Sequence, residues 1–89
     1  MSEARKITDH AKIRQWAEAR GAVPTVVKGT EDGGEGEGVL RFDFGEREPR
    51  LKEVDWDTFF KTFEERHLAL LAQDEIDGKT SRFFKFVKR

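Results

Sequence analysis

The side chains able to do acid–base or nucleophilic chemistry are few in this chain. Its 89 residues hold two histidines, His10 and His67, and no cysteine. That removes thiol nucleophiles, disulfides and Cys-ligated zinc or iron–sulfur centres. A hydrolytic triad needs a hydroxyl beside a histidine that a third group orients. None of the eight Ser and Thr hydroxyls sits in a strained elbow motif. Asp9 and His10 are adjacent, and adjacent residues on a helix point apart. Both histidines read as helix-end residues, His10 at an N-terminus and His67 at a C-terminus, where a protonated ring suits the dipole.

Metal and phosphate chemistry find no better footing. Two histidines without cysteine are too few ligands for a zinc site. The segment Asp74-Glu75-Ile76-Asp77-Gly78 matches a calcium loop only at its glycine and some acids. Gly33-Gly34-Glu35-Gly36-Glu37-Gly38 is glycine-rich, but its acids repel a phosphate and no Lys-Ser/Thr follows. No cofactor, metal or catalytic residue is expected, and no enzymatic activity.

The C-terminal stretch carries more. Residues 79–89 interleave five cations with Phe83, Phe84, Phe86 and Val87. Exposed Phe can stack on bases while Lys and Arg neutralise phosphates. On that reading Arg82, Lys85, Lys88 and Arg89 bind nucleic acid weakly and without sequence preference, joined by Arg5, Lys6, Lys12 and Arg14 if the two ends of the chain meet. The pattern touches the aromatic-basic strand of RNA-recognition motifs, but the glycine is missing and the element order differs. The plainer reading is a core strand with Phe84 and Phe86 inward and Lys85 and Lys88 solvated. A third is a strand edge on which a protein partner docks.

Charge follows the same division. Residues 1–30 carry six Lys/Arg and three Asp/Glu, residues 31–77 six and fifteen, and residues 78–89 five and none. A net charge of −1 therefore hides two basic ends around an acidic middle. This balance is foremost a solubility statement. No stretch approaches the roughly 18 apolar residues of a membrane span. Residues 1–6 lead into polar sequence without an apolar h-region, so the expected compartment is the cytosol.

The elements that must position these groups are readable from periodicity. Thr8-Asp9 before the stripe Ile13, Trp16, Ala17 and Arg20 starts a helix that Gly21 and Pro24 end. Residues 25–28 form a short β-branched strand, followed by a mobile acidic loop at 31–38. Leu40, Phe42 and Phe44 alternate with Arg41 and Asp43, a strand with one buried and one wet side. Residues 45–53 read as a polar loop. Asp55 caps a second helix in which Trp56, Phe59, Phe60 and Phe63 share one stripe, with Glu64, Glu65 and Arg66 outside it. The last two strands, 68–73 and 82–87, pair either about a tight Asp77-Gly78 turn, with Ala72 opposite Phe83, or across a looser loop from Asp74 to Ser81. Residues 1–8 form a flexible N-terminal segment, and 9–89 one domain. The expected fold class is α+β: helix-strand-strand-helix-strand-strand, an antiparallel sheet with helices mainly on one face.

Trp16-Ala17-Glu18-Ala19-Arg20-Gly21, Trp56-Asp57-Thr58-Phe59-Phe60 and Ser81-Arg82-Phe83 occur here in that order, with Val27-Lys28-Gly29-Thr30 between the first two. In this the chain resembles a family of small, free-standing bacterial proteins with no established activity, some of them labelled glucan branching enzymes. The resemblance implies a bacterial, cytosolic protein and transfers no site residue. Glycosyl transfer needs two opposed carboxylates in a sugar-sized cleft, whereas the acids here lie in two loops and on a helix exterior. The sequence thus points to a non-enzymatic binding or structural domain, monomeric or weakly dimeric, with an unidentified partner.

Overall fold

A computed structural model describes residues 4–29, 39–76 and 78–89. The acidic loop at 31–38 lies outside the described residues, as does Asp77. The order of elements is β1 (Arg5–Ile7), α1 (His10–Glu18), β2 (Val23–Val27), β3 (Leu40–Asp43), β4 (Leu51–Glu53), α2 (Trp56–Glu65), β5 (Leu68–Ala72), β6 (Glu75–Ile76), β7 (Lys79–Thr80) and β8 (Phe84–Lys88). The fold is α+β, with two helices and antiparallel sheets among the described residues.

Both helices begin and end for local reasons. Asp9 accepts the Lys12 backbone N–H at 3.2 Å, and Asp55 accepts that of Thr58 at 2.7 Å, each satisfying a first-turn donor. After α1, Gly21 takes φ +69°, and the Ala22 and Gly21 N–H groups close on the Ala17 and Glu18 carbonyls, a Schellman stop. His67 does the same work after α2, with φ +52° and its N–H on the Glu64 carbonyl. A histidine tolerates this left-handed conformation better than a β-branched residue.

Instead of one sheet there are two of three strands, ordered β1-β5-β8 and β3-β2-β4, and a two-stranded ribbon β6-β7. Each three-stranded sheet turns one face to a shared core. Phe59 and Phe63 of α2 are fully buried there, with Ile13, Trp16 and Ala17 of α1. Phe42 of β3 is the hinge between the sheets. Its ring stacks on Phe59 at 5.5 Å and meets Phe84 and Phe86 of β8 at 5.2 and 5.5 Å. Burial of each such ring stabilises by about 2–3 kcal/mol, so the aromatic stripe of α2 is the centre of the core, as its spacing predicts.

Several expectations need correction. Arg5–Ile7, placed by sequence in a flexible segment, is an edge strand on β5. β2 starts at Val23 and so contains Pro24; β4 is paired from Thr25 onward, and beside it Pro24 only accepts, its carbonyl taking the Val54 N–H at 3.1 Å, so the missing N–H is tolerable. The polar stretch 45–53 contains β4. Asp43 is buried instead of wet.

The last hairpin is shifted by one residue. Glu75 faces Thr80, the register that a tight turn at 77–78 demands, and Gly78 has φ +76°. Beyond it, however, Ala72 faces Phe84 and Leu68 faces Lys88. Ser81 still bonds Asp74, so Arg82 and Phe83 together oppose Gln73, a β-bulge. The Arg20 guanidinium holds it, donating to the carbonyls of Ser81 at 2.5 Å, Asp74 at 2.9 Å and Gln73 at 3.3 Å, and lies 4.2 Å from the Trp16 ring centre. A slip of one residue exchanges the faces of a strand. It sets Phe84 and Phe86 opposite Ala72 and Leu70 on the core side.

Candidate functional site

The four C-terminal cations that the sequence offers for nucleic-acid binding stand in different settings. Lys88 donates through Nζ to the Arg66 carbonyl at 2.8 Å. Arg89 donates through Nε to the Leu68 carbonyl at 2.6 Å and through Nη2 to Glu64 Oε2 at 2.5 Å, with its guanidinium over the Phe63 ring. Both are thus spent on carbonyls and a carboxylate at and just beyond the C-terminal end of α2, where helical carbonyls lack partners. Arg82 lies over the Phe44 ring at 5.3 Å. Only Lys85 stands on the open side of β8.

The other basic end does come to meet it, because β1 and β8 flank β5 on either side. Lys6 is opposite Leu71, and Leu71 is opposite Lys85. Two interstrand steps put the two lysine Cα atoms about 10 Å apart in one row. The next row on the same face pairs Ala69 with Val87. Ile7, Leu68, Leu70, Ala72, Phe84 and Phe86 pack into the shared core, whereas on the other side Leu71 and Val87 are half-buried and Ala69 is fully buried. Lys6 and Lys85 on this face are exposed. Phe83, 44% exposed, precedes β8 at the bulge, two positions before Lys85. No acidic residue occupies these outward positions, and neither lysine is ion-paired among the described residues. Of the other N-terminal cations, Arg5 is paired with Asp74 at 2.8 Å and Arg14 with Glu18 at 3.2 Å.

The histidines are placed as helix-end residues. His10 Nε2 is 2.7 Å from Glu64 Oε2, the oxygen that also receives Arg89, and its ring is stacked on Phe60 at 4.1 Å. The bond from Arg89, then that from His10, holds the Glu64 carboxyl below its ordinary pKa. Among the described residues no hydroxyl bonds the His10 ring, and no group of three His, Cys, Asp or Glu is placed to hold a metal.

The second sheet also has an outer face, and there the chain covers itself. Asp43 projects outward and accepts backbone N–H bonds from Gly45 at 2.8 Å, Arg47 at 3.2 Å and Glu48 at 3.0 Å. Burial raises its pKa, but these donors and Glu46 outweigh burial and carry the carboxyl below its usual range. The bonds also hold Arg47 at φ +55°. Open grooves of about 370 and 490 Å³ lie along this loop. Their central carboxylate is thus committed to backbone donors and Glu48 to Arg50 at 3.2 Å. Glu46 and Glu48 stand two positions apart on one loop, not opposed across a cleft.

Sequence reasoning named Lys6 only on condition that the two ends of the chain meet, and missed Leu71. The three residues of β1 are too short to show a period, and the assumed register of the last hairpin misplaced β8 relative to β5. No protein-family model, curated protein or solved structure matches the chain. No helix of the described residues is long and apolar enough to cross a membrane.

Proposed function

We propose that this chain is a non-catalytic binding domain that presents the outer face of the β1-β5-β8 sheet to a polyanionic partner. It acts as a monomer or weak dimer in the cytosol of a bacterium, in keeping with the family it resembles. The observation that carries the reading is the row Lys6, Leu71, Lys85, two exposed ammonium groups flanking a leucine, with no acid paired to either among the described residues. The commitment of Glu64 to Arg89 and His10, and of Asp43 to backbone donors, supports the absence of catalysis.

The probe is inorganic polyphosphate, titrated into ¹⁵N-labelled protein at 50 and 200 mM salt. Amide shifts centred on Lys6, Leu71 and Lys85 are expected at the lower salt and should fade steeply at the higher, as cation–phosphate association does. The double variant Lys6→Glu/Lys85→Glu should lose them while keeping its fold. Absence of any shift at 50 mM salt, or shifts centred elsewhere, would overturn the reading.

A further inference from the structure

Resting on that reading of the face, we infer that its partner is single-stranded nucleic acid, with a base stacked on Phe83. A polyanion alone would need only the lysines. Close to the lysines there is more: Phe83 is one of two large apolar side chains left exposed among the described residues, at 44%. It stands at the bulge, two positions before Lys85. Leu71 lies between the two cations, and Val87 follows Lys85 along β8. Cations that neutralise phosphates beside an aromatic ring that accepts any base are the two elements of a sequence-tolerant single-strand platform.

A duplex fits this surface poorly. Base pairs are read by an element that enters a groove, most often a helix, and both helices here are packed by Ile13, Trp16, Phe59 and Phe63 into the core. A single strand needs no such element, because its unstacked bases can lie on an open sheet while its phosphates reach the flanking ammonium groups. The bulge makes the ring available. Arg82 and Phe83 share the position opposite Gln73, and Phe83 donates its N–H to Ser81 Oγ at 3.0 Å, fixing the backbone next to the exposed ring. Charge complementarity selects an anion, and the ring selects one that carries flat apolar groups.

The test measures fluorescence anisotropy of a labelled twelve-residue oligothymidylate, a twelve-base-pair duplex and labelled polyphosphate, each at 50 mM salt, with the parent protein, Phe83→Ala and Lys6→Glu/Lys85→Glu. The oligothymidylate is expected to bind more tightly than the duplex. Phe83→Ala should weaken it about tenfold, in line with the loss of one stacked base, and leave polyphosphate unaffected. The double charge reversal should remove both. Loss of polyphosphate binding in the parent together with the oligonucleotide would sink the polyanion reading and this inference alike. Polyphosphate binding with an oligonucleotide indifferent to Phe83→Ala, or a duplex bound as tightly as the single strand, overturns the inference alone. All three sites are exposed, so thermal melts of the variants should coincide with the parent and exclude misfolding.

Discussion

The two three-stranded sheets share one core and differ in what lies behind them. Behind β3-β2-β4, the loop after β3 folds back, and Asp43 secures it with three backbone bonds. Thr25 in the middle of that sheet is left 1% exposed, its hydroxyl donating to the Arg41 carbonyl at 2.9 Å. Behind β1-β5-β8 Ala69 is fully buried, but Leu71, between Lys6 and Lys85, and Val87, beyond Lys85, are only half-buried. Antiparallel sheets tolerate one wet face when it is polar. Here the face under the loop holds the buried carboxylate, whereas the other keeps Lys6 and Lys85 exposed around the half-buried Leu71.

The largest effect should come from the core common to both sheets. Phe59→Ala removes a fully buried ring that touches Phe42, Trp56, Phe60 and Phe86. It should cost about 3–5 kcal/mol, against a total of roughly 4–13 kcal/mol for a chain of this length. Phe60, on the same stripe, is half-buried between His10 and Trp56, and its truncation should cost about 2 kcal/mol by the smaller area lost. Urea melts followed by Trp fluorescence and by far-UV circular dichroism would check this. Equal costs for the two rings, or separate transitions by the two probes, would show that the sheets do not share one core.

Asp43 comes next, because it distinguishes the faces. Asp43→Ala leaves three backbone donors without their acceptor and frees the loop from its clamp, an expected loss of about 2–4 kcal/mol. The carboxyl titrates below its ordinary value in the folded chain, as does that of Glu64. In the acid range the unfolded chain therefore binds more protons. The stability from both groups is fully present above the unfolded carboxyl range near pH 4 and is lost as pH falls through the lower folded values. Asp43→Asn should flatten that acid limb in urea melts at pH 2–5, and an unchanged limb would mean that the clamp is not ionic.

Local chemistry was legible in the sequence, and long-range geometry was not. The caps at Asp9 and Asp55, the stop at Gly21 and the Trp56 to Phe63 stripe each depend on residues within one or two turns, so pattern alone located them. The division into two sheets depends on which strands meet across the chain. β1 pairs with β5 over more than sixty positions, and three residues carry no periodic signal. The hairpin register was right beside the 77–78 turn and wrong beyond it, because the bulge rests on Arg20, which arrives from α1. Asp43 was assigned its correct side by alternation; its burial comes from the loop folding over it.

The smallest effect is the most telling for the comparison. Leu71→Thr changes the centre of the row between Lys6 and Lys85. The position lies outside the core, and threonine suits a strand as well as leucine does. Surface changes of this kind usually shift stability by no more than about 0.5 kcal/mol, so the melt should barely move, in contrast with Asp43→Ala behind the other sheet. The polyphosphate titration should keep its salt dependence, since both ammonium groups remain. The oligonucleotide should weaken a few-fold as the apolar floor beside Phe83 is lost. A melt displaced by several kcal/mol would mean that the β1-β5-β8 face is covered after all, and the asymmetry between the two sheets would vanish with it.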